Sequence, residues 1–227
     1  MANHLDLEEQ EQLDQIKHFW NKWGTLLSIV LIVSLGAIAA WNAYQYWQGR
    51  QASHAAALVD AVEGAGKTGD QTRMQQAFSD LRTKYAGTTQ ADQAGLAVAK
   101  MLLDAGNVPG AKEALTWVAD QSSDDGYKSI AKIRLASILI DEKILDQAFK
   151  KLSENFPVEF KSIVADRKGD VLMLLNKPQE AYLEYQRAIS GFDNDIDYRR
   201  IVEVKMNSLG IDAKKIDFQS NPIESKK

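Results

Sequence analysis

Apolar positions along this chain fall into two regimes. No charged residue occurs between Lys22 and Arg50, and Leu26–Trp41 reads LLSIVLIVSLGAIAAW. From residue 51 onward, apolar residues recur in short blocks at three- and four-residue steps, the period of amphipathic helices. No stretch of alternating β-branched residues is long enough to demand a strand. The pattern therefore predicts an all-α protein with one apolar helix ahead of a helical domain.

Gly24–Tyr44 is 21 residues; as a helix it rises about 31 Å, against a hydrocarbon core of about 30 Å. Nine of these residues are Leu, Ile or Val, and four of the five tryptophans flank the run. Trp20 and Trp23 stand before it, Trp41 and Trp47 after it, with Leu26, Leu31 and Leu35 between. Aromatic rings with one polar end favour the headgroup layer, so the pattern reads as two belts of a single-pass anchor in membrane lipid. A cleaved signal peptide is a poor alternative, although Ala37-Ile38-Ala39 fits its cleavage pattern: the preceding region carries Asp6, Glu8, Glu9, Glu11 and Asp14, not a basic segment. A buried core helix would not explain the belts. Lys17 and Lys22 precede the run and only Arg50 closely follows, a bias toward a cytoplasmic N-terminus.

Leu13, Ile16, Trp20 and Trp23 step by 3, 4 and 3 residues. Two arrangements fit this stripe: an amphipathic helix on the membrane surface that bends into the anchor, or an extension of the same helix. The expected organisation is an amphipathic segment at 1–23, the transmembrane helix at 24–48, a helical domain at 49–210 on the far side of the membrane, and a polar tail without fixed structure at 211–227.

The helical domain repeats. Ala77, Ala111, Ala148 and Ala181 begin similar helices, 34, 37 and 33 residues apart, with Leu81, Leu115, Leu152 and Tyr185 four residues later. On the preceding helices, Gly169 and Leu172 hold the offsets of Ala136 and Leu139 and of Ala99 and Leu102, while Ala188 lies seven residues after Ala181. Small residues let two antiparallel helices touch; the large residue one turn on fills the gap to the next hairpin. This offset set resembles the tetratricopeptide repeat. It departs at Asn155, where a small residue is expected, and the first unit lacks its first-helix signature. Breaks at Gly106–Gly110 and Asn176–Pro178 fall where hairpins should bend. The predicted helices follow a long one ending near Glu63 and lie at 70–85, 90–105, 109–121, 126–142, 145–155, 160–175, 178–190 and 195–209. That makes about four hairpins, closed by a C-terminal helix that caps the stack.

Composition then narrows the chemistry. The chain has 227 residues and a formal net charge of −4, which lacks the basic footprint of a nucleic-acid binder. Residues 51–227 hold 24 basic and 26 acidic side chains, so charge alone should not hold this part on a membrane. The chain contains no cysteine, which removes disulfides, thiolate metal sites and thiol nucleophiles. Its three histidines are His4, His18 and His54, leaving most of the chain without imidazole chemistry. No cofactor and no small-molecule substrate is implied.

Several motifs imitate chemistry. Gly64-Ala65-Gly66-Lys67-Thr68-Gly69 satisfies a dinucleotide-binding pattern literally, but a phosphate cradle needs a preceding strand; a glycine-rich loop between helices explains it better. Asp193-Asn194-Asp195-Ile196-Asp197 begins like a calcium loop, yet Tyr198 and Val204 stand where glycine and glutamate are needed; helix capping by Asp193 or Asp195 is the plain reading. Asp124-Asp125 reads likewise, as the start of a helix ahead of Tyr127. Asp141, Glu142 and Asp146 crowd one exposed turn, unsuited to acid–base work, and His54 reads as a surface residue.

A short N-terminal tail, one anchor and a tetratricopeptide-like domain resemble the YfgM-type proteins, ancillary subunits of the SecYEG translocon. The likeness is strongest at Ser162-Ile163-Val164-Ala165-Asp166-Arg167-Lys168-Gly169-Asp170 and at Val204-Lys205-Met206-Asn207-Ser208-Leu209, and it spans roughly residues 12–211. The resemblance implies a bacterial inner-membrane protein whose periplasmic domain binds other proteins near the translocon, with a partner similar to the membrane-anchored chaperone PpiD. The residues themselves support a membrane-tethered interaction module without enzymatic activity. Stacked hairpins form a groove lined by the first helix of each unit, where Lys100, Asp104, Lys132, Arg134, Arg167 and Asp170 could grip a partner or simply be solvated. Two other readings stay open: a structural scaffold in another envelope complex, and an enzyme with a carboxylate-only site.

Overall fold

A computed structural model of the chain describes residues 7–193 and 197–211. Asn194, Asp195 and Ile196 lie outside the described residues, as do the tail from Asp212 and residues 1–6; the capping role expected of Asp195 falls there. The described residues form helices and one 3-10 turn. These are α1 (Leu7–Thr68), α2 (Gln71–Lys84), α3 (Thr89–Asp104), α4 (Val108–Gln121), α5 (Asp125–Asp141), α6 (Leu145–Leu152), the 3-10 turn Val158–Phe160, α7 (Lys161–Leu174), α8 (Pro178–Gly191) and α9 (Asp197–Ser208). The chain divides into two units, Met1–Ser53 and His54–Lys227.

In the first unit, residues 7–23 continue into the apolar stretch without a break. Leu31, Ile32, Val33 and Leu35 are all exposed, so this part of α1 presents apolar side chains around its circumference. It is long and apolar enough to cross a membrane. Trp41, Tyr44 and Trp47 lie along one face with ring centroids 6.4 and 6.3 Å apart. The Gln48 amide donates to the Tyr44 hydroxyl at 2.9 Å, and Arg50 sits over the Tyr46 ring. Such rings with polar partners suit the boundary between hydrocarbon and water.

In the second unit the helices pack in chain order, α2 on α3 through to α8 on α9. Local chemistry sets their starts: Asp70, Thr88, Asn107 and Asp124 each accept a backbone N–H in the first turn of α2, α3, α4 and α5, satisfying donors that a helix leaves orphaned. Asp124 accepts from Gly126 and Tyr127 at 2.7 and 3.0 Å, as its place ahead of Tyr127 predicts.

One turn recurs four times. Gly69, Gly106, Lys143 and Asn176 all have positive φ, of 74°, 77°, 65° and 58°. After each, the next N–H donates back to a carbonyl five residues earlier: Asp70 to Ala65, Asn107 to Leu102, Ile144 to Leu139 and Lys177 to Leu172, all at 2.7–2.9 Å. This is the left-handed C-terminal helix cap, which suits glycine and asparagine. The turns fall 37, 37 and 33 residues apart and give the repeat its register.

That register corrects two expectations. The Gly64–Gly69 stretch is not a loop: α1 runs through Thr68 and only Gly69 turns the chain. Ala65 is buried, and a Cβ on Gly66 would run into the Met101 thioether, so these small residues serve helix packing. Counted from the turns, Met74 stands where the other units have Ala111, Ala148 and Ala181, and Phe78 where they have Leu115, Leu152 and Tyr185. Ala77 and Leu81 are buried but sit three residues late. Val62 likewise replaces the Ala99, Ala136 and Gly169 of later units. Large residues at both small positions keep α1 and α2 from the close approach seen in α3–α4, α5–α6 and α7–α8.

The core is three clusters rather than one. Ala55 to Ile138 form the first, Ala136 with Leu152, Phe156, Val164 and Val171 the second, and Ala165, Leu172, Tyr185, Ala188 and Val202 the third. α5 and α7 each feed two clusters from opposite faces. The helix expected at 145–155 is shorter: α6 ends at Leu152, and the chain from there to α7, which includes Asn155, is irregular apart from the 3-10 turn.

Candidate functional site

The residues read as repeat packing lie inside. Ala111, Leu115, Ala148, Leu152, Ala181 and Ala188 are fully buried, with Tyr185 and Leu172 nearly so. Gly169 is decisive for the last hairpin. A Cβ there would fall 2.6 Å from Cδ1 and 2.9 Å from Cζ of Tyr185, so only glycine lets α7 and α8 meet at this level.

The candidate groove residues do not form one patch. Lys100 and Arg134 line a shared cleft of about 530 Å³ between α3 and α5, floored by Ala99, Leu103 and Leu115. Arg134 donates to the Leu96 carbonyl at 3.2 Å, and Lys100 pairs with Asp104 on its own helix. Lys132 instead points to the α6 end, pairing with Glu154 at 3.0 Å and lying over the Phe156 ring. Burial pushes the Glu154 carboxyl up, but the Lys151 and Lys132 ammonium groups outweigh it and hold the carboxyl below its ordinary range. Arg167 pairs with Asp170 at 3.5 Å. Asp141 is exposed, and Glu142 pairs with Lys112 at 2.8 Å; the acidic turn is a surface feature. His54 is exposed. Among residues 7–193 and 197–211, no group of three His, Asp or Glu side chains is arranged to hold a metal ion.

Two buried carboxylates stand out. Asp166 on α7 is fully buried; it accepts from the Tyr198 hydroxyl at 2.6 Å and from the Lys205 ammonium at 2.8 Å, both on α9. Lys205 also donates to both oxygens of Asp170, at 2.8 and 2.9 Å, and Asp170 accepts the Tyr185 hydroxyl at 2.9 Å. Burial first, then the neighbouring carboxylates, pushes the Tyr185 hydroxyl far above its ordinary value, and burial with the Asp166 bond does the same to Tyr198. Both stay neutral donors. Arg199 adds bonds to the Ile189 and Phe192 carbonyls at 3.2 Å. The capping helix is thus fastened by a polar network as well as by Val202.

Asp92 is the other. It is buried on α3, accepts from the Ser122 hydroxyl at 2.8 Å, and its second oxygen has no partner among the described residues. Burial raises its pKa above the ordinary 3.8, against the lowering by Ser122. A raised carboxyl contributes stability below its ordinary pKa, and that contribution is lost as pH rises through the folded value. Asp92→Asn should therefore gain stability relative to the wild type as pH rises from about 4 to 7, on the order of 1 kcal/mol, the cost of a buried unsatisfied polar atom. Paired thermal melts across that range measure it; a pH-independent difference would refute the assignment.

Comparison with known proteins now bears on this arrangement. The model of a tetratricopeptide repeat-like domain matches residues 17–211. A Neisseria gonorrhoeae (strain ATCC 700825 / FA 1090) protein named ancillary SecYEG translocon subunit is 31% identical over 92% of this chain and 100% of its own length. The chain belongs to the YfgM-type family of tetratricopeptide repeat-like proteins. Proteins of the same name from Aggregatibacter actinomycetemcomitans and Escherichia coli (strain K12) are 25% and 24% identical, each over 89% of this chain and 98% and 97% of their own lengths. The match thus takes in both the apolar helix and the hairpins.

The two stretches that carry the YfgM-type likeness prove to be one site. Asp166 and Asp170 come from the first, Lys205 from the second, and they meet in the network that fastens α9. From the sequence alone, Lys205 is placed on the capping helix and in the stretch of family likeness, without a partner for its charge. The available signal was two acids four residues apart on a helix, aligned on one face, ahead of a lone lysine on the capping helix. Of the anchor residues, Trp20 lies against Gly24, whose missing Cβ would sit 3.1 Å from the indole nitrogen. Trp23, Leu26, Leu31, Leu35, Trp41 and Trp47 are exposed along α1.

Proposed function

We propose that this protein is a non-catalytic, membrane-tethered interaction module: an ancillary subunit of the SecYEG translocon, single-pass in the bacterial inner membrane. The carrying observation is full-length similarity to relatives of that name, joined to one apolar helix followed by a hairpin stack. The N-terminus is cytoplasmic, supported by Lys17 and Lys22 before the span, and the hairpin domain is periplasmic. There it meets a chaperone of the PpiD kind and links it to chains leaving the translocon. The tether confines partners to the membrane surface and so raises their effective concentration.

Partner capture tests this. The tagged full chain is purified from membranes in mild detergent beside a copy lacking residues 1–48 and exported by a cleavable signal. SecYEG subunits and a periplasmic chaperone should co-purify with the full chain. Retention of the chaperone alone by the shortened copy would assign that contact to the hairpins. Enrichment of a different envelope complex in place of SecYEG would refute the translocon assignment and favour a scaffold.

A further inference from the structure

The hairpin pattern fails between α6 and α7, and a cleft opens there. It measures about 530 Å³ and is floored by Leu152, Phe156, Val164 and Ala165. Val158, 68% exposed, marks the irregular connection beside it. The charges around this cleft are unbalanced. Glu184 is paired by Arg187, and Glu154 is paired twice, by Lys132 and Lys151. Lys161 and Lys168 also line the cleft, and among the described residues neither pairs with a carboxylate; Lys168 lies over the Phe149 ring. The lining thus carries three cations, Lys161, Lys168 and Arg187, against two carboxylates that are both already paired, on a chain whose overall charge is negative. Two other clefts of the hairpin domain differ. Between α3 and α5, Lys100 is neutralised by Asp104, and Arg134 shares the lining with Asp141 and Glu142. At α2 and α4, Arg82 is neutralised by Glu113.

The geometry points to the α6–α7–α8 cleft as the docking site for an acidic peptide segment carrying a large apolar residue. The apolar side chain enters between Val158 and Phe156, and flanking carboxylates meet Lys161 and Lys168. Opposite charge at a rim speeds encounter and fixes orientation, while the apolar floor supplies the affinity. Segment α7 thereby serves two sides: Asp166 and Asp170 face the cap, while Ser162, Val164, Ala165 and Lys168 line the cleft. This inference rests on the reading of the hairpins as protein-binding.

The test uses the full chain in nanodiscs of zwitterionic lipid. The probe is a fluorescent 12-residue peptide with a central Phe-Leu flanked by glutamates; one control has lysines in place of the glutamates, another Gly-Ser in place of Phe-Leu. Anisotropy should show saturable binding of the acidic probe alone, weakened by salt and about tenfold by Lys161→Glu/Lys168→Glu, as for charge changes at an interface. The single variant Lys161→Glu, at an exposed position, should weaken it in the same direction without altering the melting curve. Equal binding of the lysine probe, no effect of charge reversal, or no binding at all would overturn the site. So would binding of phosphatidylglycerol vesicles, lost on charge reversal, without peptide binding, which would make the patch a lipid contact. SecYEG co-purification is followed in parallel: its persistence with failed peptide binding sinks the cleft alone, and its absence with intact peptide binding sinks the translocon assignment alone.

Discussion

Replacing Lys205 with Met should lower the stability of the hairpin domain by about 3 kcal/mol, the low end for removing one partner of a buried ion pair. The low end applies because the Lys205 side chain is 29% exposed. Asp166 is fully buried and would keep only the Tyr198 bond; Asp170 would keep Tyr185 and the distant Arg167. An ionised carboxylate left in that position has no counter-charge beside it. Lys205→Met combined with Asp166→Asn removes the stranded charge and should recover part of the loss. Urea unfolding of the purified domain gives the energies, and hydrogen exchange at α9 gives the location. Unchanged stability in the single variant, or a double variant worse than the sum of its parts, would mean that the network does not hold the cap.

Gly169→Ala should cost about 1–3 kcal/mol, the usual price of overpacking. On an exposed helix the same change would gain roughly 1 kcal/mol from helix propensity. The Tyr185 ring decides between them: it is buried, its hydroxyl is held by Asp170, and its atoms occupy the space a Cβ needs. In a Tyr185→Ala background the obstacle is gone, and Gly169→Ala should become stabilising. A reversal of sign between backgrounds, read from denaturant midpoints, is the expected signature. A neutral or stabilising effect in the wild-type background would show that α7 and α8 can move apart.

Much of this fold was legible because hairpin packing has a local cause. Small residues at Ala99, Ala136 and Gly169 and large ones three and sixteen residues later recur at fixed offsets, so the α3–α8 pairs followed from spacing alone. The first unit was misregistered because Ala77 imitates the pattern, while the true marker is the left-handed turn at Gly69 with Met74 after it. Glycine signals both turns and close contacts, and only tertiary packing against Met101 shows that Gly66 belongs to the second kind. The fastening of α9 was not legible because Lys205 meets Asp166 from 39 residues away. Lone charges on amphipathic helices look alike whether they face water or a buried partner. The basic cleft was hidden for a related reason: Lys161 and Lys168 share α7, but the carboxylates beside them, Glu154 and Glu184, lie on other segments and are paired elsewhere.

The division of the interior into three clusters gives the domain a graded mechanical character. Two first helices are shared between neighbours, α5 between the first and second clusters and α7 between the second and third. Strain at one joint is passed to the adjoining hairpin and is damped there, as in a chain of nearest-neighbour units. The last hairpin and its cap can then open as a separate foldon while Ala55 to Ile138 stay closed. A pull at the C-terminal end would peel the stack one hairpin at a time.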